Sequence, residues 1–336
     1  MRNIIGIKKD ILDLINLRNT KFSQHITSPS KFWKGQIEKL SFIFDFSEIS
    51  LRDIRLHTGF GFYIGSSWTT CYYEAQEILR GMKDIESSKY VKDYKNLTEN
   101  IPKEFHCSEL DHNKEWISIF YRDKYITEDV LRAQSAVSNL FQIRNLFSSC
   151  IEIGAGYGSL ANHLLKLFQI KKYFIIDHPE ILYWSIVWTS LVCPNKKILL
   201  FNGNNVDKFK DADVIFIPPF LIDTLKFDID LVINENSFCE MTQEQVEYYL
   251  DNKNINFKIL YSNNRDRQLM NNELHSLNSI LSSRYILTPP IDFYNEKYRN
   301  KYNKHNCKYI YFCNKIISLE TVDPSKLCGL SIRKEH

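Results

Sequence analysis

From residue 148 onward the chain alternates between short apolar stretches and amphipathic stretches, and this alternation limits the fold more than any other feature. Apolar stretches with the length of buried strands lie at 150–154, 172–177, 197–202, 213–218, 230–234, 257–262, 283–288 and 308–313. Helical patterns separate them at 159–168, 179–192 and 242–252. The pattern predicts an α/β fold with a Rossmann-like parallel sheet covered by helices on both faces. Any ligand should bind at the carboxyl ends of the strands.

The first 145 residues carry a different, mostly helical pattern. Apolar residues recur at helical intervals over 1–20, 72–94 and 129–147, whereas 56–68 is rich in glycine and aromatic residues and is expected to be a loop. The chain has 336 residues, 44% of them hydrophobic, which suits two domains or one large domain with an appendage. We therefore predict a helical N-terminal region over 1–145 and a sheet domain over 146–336.

Composition argues against several classes of protein. The formal net charge of +3 and the pI of about 8.3 fall well short of the strongly basic character of a nucleic-acid binder. The apolar stretch 182–193 is shorter than the roughly 20 residues of a membrane span, so no transmembrane segment is predicted. The first 20 residues mix charged and apolar side chains, unlike the continuous apolar run of a secretory leader. A cytoplasmic protein is expected.

Cysteine and carboxylate spacing predicts no metal site. The eight cysteines are scattered without a CxxC pair, so reduced thiols are expected. His106, Cys107 and His112 lack the spacing of a closed zinc site. A set of oxygen ligands that Mg²⁺ would accept consists of Asp230, Glu235 and Glu240. Spacing alone does not bring these carboxylates together.

The stretch CIEIGAGYGSL at 150–160 places a glycine-rich turn between a strand and a helix. Glycine lets the backbone turn sharply and approach a ligand, and the helix start adds free N–H groups. A dinucleotide fingerprint has the form GxGxxG, whereas here Ser159 stands at the third glycine position. Glu152, two residues before the turn, could meet the ammonium group of S-adenosylmethionine. A turn that only connects strand to helix also has this pattern.

Asp177 ends the next predicted strand, roughly 20 residues after the turn. A carboxylate there can accept hydrogen bonds from both ribose hydroxyls of a nucleotide. It can equally cap the helix that begins at Pro179. Because NAD and S-adenosylmethionine both carry a ribose, Asp177 does not distinguish redox chemistry from methyl transfer.

Several motifs together resemble the sugar O-methyltransferase family, a branch of the class I S-adenosylmethionine-dependent methyltransferases. They are EIGAGYG (152–158), DHPE (177–180), a Pro-Pro strand end (218–219), NENSFCEM (234–241) and YSxNR (261–265). The resemblance covers roughly 120–265. This chain departs from the family pattern at His178, where leucine is usual, and at Cys239, where glutamine is usual.

The resemblance implies a class I methyltransferase domain with S-adenosylmethionine as cofactor. The implied acceptor is a sugar hydroxyl of a surface polysaccharide or its precursor, including a nucleotide- or lipid-linked glycan, selected by the N-terminal region acting as a lid. The predicted cofactor-binding residues are Glu152, Gly154, Ala155, Gly156, Tyr157, Gly158, Asp177, His178, Pro218 and Asn234.

The predicted catalytic residues are Glu240, His178 and Asn236. A sugar hydroxyl is a weak nucleophile, so a general base within hydrogen-bond reach speeds its reaction. Glu240 is the first candidate for this base and His178 the second, while Asn236 would orient the acceptor. Each has a structural alternative: Glu240 beside the helix start at 242, His178 as a helix cap, and Asn236 as a turn residue.

Two further stretches could contact the acceptor. The basic run 298–311 could bind a phosphate, or form a solvated strand and loop. His57 and the aromatic residues of 56–73 could cover a sugar ring, or pack in a core. Three other functions stay open: a methyltransferase acting on a small natural product or peptide, an NAD-dependent oxidoreductase, and a protein that binds without catalysis.

Overall fold

A computed structural model describes residues 4–40, 44, 68–110, 118–141, 147–265, 273–285, 306–312 and 330–332. Its α-helices are α1 (Ile4–Lys21), α2 (Lys31–Leu40), α3 (Trp68–Leu79), α4 (Lys89–Thr98), α5 (Glu128–Phe141), α6 (Ser159–Leu167), α7 (Pro179–Val192), α8 (Gln243–Asp251) and α9 (Leu277–Arg284). No described helix is long and apolar enough to cross a bilayer.

One large sheet organises the second half of the chain. Its strands are β3 (Ser149–Ile153), β4 (Lys172–Ile176), β5 (Ile198–Leu200), β6 (Val214–Ile217), β7 (Phe227–Glu235), β8 (Ile255–Arg265), β9 (Asn306–Phe312) and β10 (Leu330–Ile332). Their order is β5-β6-β4-β3-β7-β8-β9-β10. Strands β3 to β8 run parallel, β9 is antiparallel to β8, and β10 is parallel to β9. The protein thus has the predicted α/β, Rossmann-like fold. Its strand order reverses between β3 and β7, the position at which folds of this kind bind ligands.

Helices cover both faces of the sheet. Alternate strand residues point to opposite faces. Cys150 therefore packs with helices α3 to α7, whereas Ile151 packs with α8 and α9. Helix α1 lies along α7 and places Ile11 in the first buried cluster and Leu14 in the second. The described part of the N-terminal region therefore packs directly on the sheet domain.

Most of the predicted strands and helices are confirmed, with one exception in the sheet domain. The predicted strand 283–288 is wrong at its start, because α9 continues to Arg284. Ser276 caps this helix, and Leu277, Ile280 and Leu281 are buried on one helical face. Tyr285 is extended, and 286–288 lie outside the described residues.

The predicted helix 72–94 is also wrong, because it is two helices. Helix α3 ends at Leu79, Gly81 adopts a positive φ of 68°, and Ser88 caps α4 by accepting a hydrogen bond from the Val91 N–H. A positive φ cannot continue a right-handed helix. The sequence pattern also missed a small antiparallel hairpin, β1 (Ile119–Tyr121) and β2 (Lys124–Ile126), within the mostly helical region.

Candidate functional site

The carboxyl edge of the sheet brings the predicted cofactor residues together. Gly154 follows β3, Asp177 follows β4 and Pro218 follows β6, while β7 ends at Glu235. These four strands are neighbours in the order β6-β4-β3-β7. The predicted segments therefore meet along one edge of the sheet. This edge, formed by the residues at and directly after the ends of these four strands, is here named the crest.

The glycine turn has the backbone geometry that glycine favours. Gly154, Gly156 and Gly158 have positive φ angles of 73°, 59° and 85°. A Cβ atom at position 154 would lie 1.8 Å from the Oγ atom of Ser237. The segment after β7 therefore packs directly on the turn, and only glycine leaves space for it.

Two further residues of the turn are tied to neighbouring helices. The Tyr157 hydroxyl donates to Asp129 at 2.8 Å, and the Tyr157 side chain is buried. Gly158 precedes α6, where a Cβ would lie 2.8 Å from the Ser185 Oγ of α7. Ala155 lies half-buried between these points. The turn is therefore fixed against α5 and α7.

Asp177 points its carboxylate at the glycine turn. Its Oδ2 accepts the Gly156 N–H at 3.0 Å, and its Oδ1 accepts the His178 N–H at 2.8 Å. Burial raises the pKa of Asp177 to about 7, with Glu180 and Glu240 acting in the same direction against these two hydrogen bonds. The residue at the cap position of α7 is His178, so the interpretation of Asp177 as the helix cap is wrong.

Glu152 is a buried carboxyl beneath the turn. The Tyr173 hydroxyl of β4 donates to its Oε2 at 2.7 Å. Burial raises the pKa of Glu152 to about 8, with Glu235 and Asp177 adding to the shift, although the Tyr173 hydrogen bond lowers it. The crest thus gathers carboxyl groups close enough to disfavour each other's ionisation.

Two asparagines lie at the carboxyl end of β7, Asn234 within the strand and Asn236 directly after it. Asn234 donates to the Ile153 carbonyl at 2.8 Å, and its Oδ1 accepts the Phe238 N–H at 2.8 Å and the Asn264 amide at 2.9 Å. Its side chain therefore joins the ends of β3, β7 and β8. Asn236 is exposed and has a positive φ of 55°, a conformation that asparagine tolerates.

The two candidate bases differ in chemistry. Glu240 is half-buried, and its carboxylate is near enough to Asp177 to raise that group's pKa. Burial lowers the pKa of His178 to about 3, with Arg18 acting in the same direction. An imidazole with so low a pKa is a weak base. Glu240 is therefore the stronger candidate. His178 Nδ1 is buried without a hydrogen-bond partner in the described structure.

The structure separates the carboxylates that could have formed a Mg²⁺ site. Asp230 accepts hydrogen bonds from the Ser148 and Ser149 N–H groups at 2.8 and 3.2 Å, and it pairs with Lys258. Ser148 and Ser149 lie at the start of β3, whereas Glu235 ends β7. The part of the chain that the structure describes contains no group of three His, Cys, Asp or Glu residues arranged for a metal.

Several predicted contacts lie outside the described residues, namely His57 and the rest of the aromatic loop up to residue 67, His112, and residues 298–305 of the basic run. Sequence reasoning gave no role to Tyr173, Ser237 or Asn264. The last two stand inside the quoted motifs, so their position was a usable signal. Tyr173 was hidden because only the pairing of β3 with β4 brings it to Glu152.

Comparisons with known proteins leave the family open. No family model matches the sequence. No curated protein sequence matches it either. Solved structures that resemble the fold include the methyltransferase domain of bacterial CtHen1, with 10% identity, a TM-score of 0.29 and coverage of 40% of this chain and 65% of that one.

Two further structures show a similar level of resemblance. A protein of Thermoplasma acidophilum, number 1320, shares 14% identity with a TM-score of 0.34 over 53% of this chain and 85% of that chain. The mitomycin 7-O-methyltransferase MmcR shares 13% identity with a TM-score of 0.27 over 60% and 51%. This chain spans less than two thirds of the CtHen1 and MmcR chains. Such low scores assign no function, so the fold assignment rests on the strand order.

Proposed function

We propose that this protein is an S-adenosylmethionine-dependent methyltransferase. One observation carries the choice over a redox enzyme: carboxyl groups crowd the glycine turn. Asp177 accepts a hydrogen bond from the Gly156 N–H. A dinucleotide pyrophosphate would need backbone N–H groups of this kind as hydrogen-bond donors. The raised pKa values of Asp177 and Glu152 reflect burial together with negative charge nearby. A cationic ligand relieves this repulsion, whereas a pyrophosphate adds to it.

The residues of the crest fit the proposed cofactor. Asp177 offers a carboxylate for the ribose hydroxyls, and Glu152 offers one for the ammonium group. Gly154, Ala155, Gly156, Tyr157 and Gly158 shape the turn, with His178 and Pro218 at the purine end. Asn234 positions the turn through its three hydrogen bonds.

When bound, S-adenosylmethionine supplies a methyl group on a sulfonium sulfur. In the proposed reaction Glu240 accepts the proton of the acceptor hydroxyl at a carboxylate oxygen, and Asn236 orients the acceptor. Positioning and proton removal are the two contributions that this chain can make to such a transfer.

The acceptor is the finer part of the proposal. The resemblance of NENSFCEM and YSxNR to the motifs of the sugar O-methyltransferase family favours a sugar hydroxyl of a surface polysaccharide or its precursor. Residues 1–145 would select this acceptor and cover the site, while 146–336 bind the cofactor. A cytoplasmic location is supported by five buried cysteines that form no disulfide in the described structure, namely Cys71, Cys107, Cys150, Cys193 and Cys239. The alternative acceptor is a small natural product or a peptide. A screen for methyl transfer to sugars, small natural products and peptides would distinguish these acceptors.

Calorimetric titration with S-adenosylhomocysteine and, in parallel, NAD tests the cofactor. We expect saturable micromolar binding of the first ligand alone. Its ammonium should lower the pKa of Glu152, so binding near pH 7 should release protons and the heat should differ between Tris and phosphate buffers. Binding of NAD alone would refute the proposal.

Once an acceptor is found, Glu240→Gln tests the base. The amide keeps the shape of the side chain but cannot accept a proton, so turnover should fall about 10²–10⁴-fold. Binding of S-adenosylhomocysteine should stay within about twofold, because Glu240 is assigned to the acceptor. Glu244→Gln, in the first turn of α8, is the matched control. Unchanged turnover in Glu240→Gln would remove the base assignment and leave the cofactor assignment intact.

A further inference from the structure

Residues 18–33, here named the N-terminal strap, run along the crest that carries the predicted site. The strap starts at Arg18, whose guanidinium pairs with both carboxylate oxygens of Glu180 at 2.9 and 2.8 Å. It ends at Trp33, whose ring centroid lies 6.4 Å from that of His178. Both ends of the strap are therefore anchored at the start of α7, immediately after Asp177.

Between its two ends the strap visits the other strand ends of the crest. Phe22 stacks on Phe220, which follows β6, with ring centroids 5.1 Å apart. Gln245 of α8 donates to the carbonyls of Ile26 and Ser28 at 3.0 and 2.6 Å. The Ser30 hydroxyl donates to the Glu240 carbonyl at 3.2 Å. The strap thus contacts the segments that follow β4, β6 and β7, and it forms one side of the site.

The end of the strap brings the aromatic ring of Trp33 against that of His178. The Trp33 and His178 rings are inclined at 54° to each other. His178 directly follows Asp177, the residue proposed to bind the ribose, so these two rings lie beside the position that the base of a nucleoside would take. The buried Nδ1 of His178 has no hydrogen-bond partner within the described structure, so its hydrogen-bonding capacity is unused there.

Planar bases bind well against such surfaces. A purine stacks on aromatic side chains because both are flat and polarisable, and indole has the largest face of the common side chains. Loss of one such stacking partner typically weakens binding by roughly 5- to 100-fold. Trp33 is half-buried, so part of this residue is exposed.

We infer that Trp33 is a cofactor-binding residue whose indole ring forms a wall of the purine pocket beside His178. This inference rests on the proposed function, because it takes the ligand to be an adenosyl compound. It assigns to the N-terminal strap a direct role in holding the cofactor.

Binding of three probes to wild type, Trp33→Ala, Trp33→Phe and Lys34→Ala tests the inference. The probes are S-adenosylhomocysteine, adenosine and L-methionine. We expect Trp33→Ala to weaken the first two by a similar factor, roughly 5- to 100-fold, and to leave methionine unaffected. Trp33→Phe should lose less, because a smaller ring remains. Lys34→Ala, which changes the exposed neighbouring side chain, should match wild type.

Fluorescence gives a second readout. A purine stacked on Trp33 should quench its emission, so the quench produced by S-adenosylhomocysteine in wild type should shrink in Trp33→Phe. Three results would overturn the assignment. One is equal binding of S-adenosylhomocysteine and adenosine by wild type and Trp33→Ala. Another is equal weakening of all three probes with a lowered melting temperature, which marks a structural role. The third is a wild type that binds no adenosyl ligand, and it alone refutes the proposed function as well.

Discussion

At the residue scale, two features define the crest. Two backbone segments approach each other closely, and several carboxyl groups lie near one another. Ser237 rests directly over Gly154, and Glu152 lies beneath the same turn among other carboxyl groups. Both features are sensitive to a single substitution, and they act through different physics: steric exclusion in the first case and ionisation in the second.

Gly154→Ala should be strongly disruptive. The new methyl group would lie 1.8 Å from the Ser237 Oγ, and alanine would also be strained at a φ of 73°. We expect a loss of about 2–4 kcal/mol in the free energy of unfolding, measured by urea denaturation, together with loss of S-adenosylhomocysteine binding.

Two other glycines separate the causes of that loss. Gly81 also has a positive φ, but a Cβ there meets nothing within 4 Å, so Gly81→Ala should cost only about 1 kcal/mol. Gly35 lies in α2 without a positive φ, and Gly35→Ala should be neutral or slightly stabilising. Equal costs at positions 154 and 81 would contradict the steric account.

Glu152→Gln should change how stability depends on pH. The carboxyl has a pKa of about 8 in the folded chain against an ordinary value of 4.5, so the folded state holds its proton more tightly. The tighter proton binding adds to the free energy of unfolding. This addition is complete below about pH 4.5 and is lost as the pH rises through about 8. The glutamine variant lacks this loss.

Urea denaturation of both proteins at pH 5 and pH 8 measures the effect. From pH 5 to pH 8 the free energy of unfolding of wild type should fall, relative to that of Glu152→Gln, by an amount on the order of a few kcal/mol. Glu99→Gln, at an exposed position after α4, should run parallel to wild type. A constant difference between Glu152→Gln and wild type would contradict the raised pKa.

At the scale of elements, the pairing of α1 with α7 is the contact that sets the position of the strap. Arg18 and Glu180 have side chains only 9% and 5% exposed, and they are joined by two hydrogen bonds. A buried ion pair gains little over apolar side chains of the same size, yet removing one partner leaves a buried charge unpaired. The pair therefore specifies which helices meet more than it adds stability.

Arg18→Met should cost about 3–5 kcal/mol in the free energy of unfolding, because it leaves Glu180 buried and unpaired. The double variant Arg18→Met with Glu180→Leu should recover most of that loss. Chemical denaturation of the two single variants and the double variant gives the coupling energy. Additive losses would show that the two side chains do not interact in solution.

At the scale of the whole molecule, α1 belongs to both buried clusters. Ile11 is fully buried on the side of α7, and Leu14 is 2% exposed on the side of the opposite cluster. Helix α1 therefore contributes a residue, Leu14, to the same buried cluster as Tyr285. We expect the described part of the N-terminal region to unfold together with the sheet.

Ile11→Ala and Leu14→Ala test this coupling. Each should lower the free energy of unfolding by about 2–5 kcal/mol and shift the transitions of circular dichroism and tryptophan fluorescence together. Leu12, between them, is 42% exposed, so Leu12→Ala should change stability by less than about 1 kcal/mol. A variant that loses helix signal while the fluorescence transition stays in place would show that α1 unfolds separately.

The sequence alone determined the features that depend on neighbours along the chain. Strand and helix alternation is a local pattern, so β3 to β8 and their helices could be located, and with them the glycine turn, Asp177 and the segment after β7. Parallel strands place their carboxyl ends on one edge, so the meeting of these segments also followed. The errors at 72–94 and 283–288 arose where a cap or a positive φ overrode the apolar period.

Only the tertiary structure decided which distant side chains meet. Arg18 lies 162 residues before Glu180, and no local pattern connects them. The same holds for Tyr173 on Glu152, Ser237 on Gly154, and Trp33 beside His178. Ionisation was equally hidden, because the pKa values of Glu152 and Asp177 rise through burial and nearby carboxyl groups, which exist only once the strands pair. Periodicity fixes the elements, whereas desolvation and charge proximity arise from packing between them.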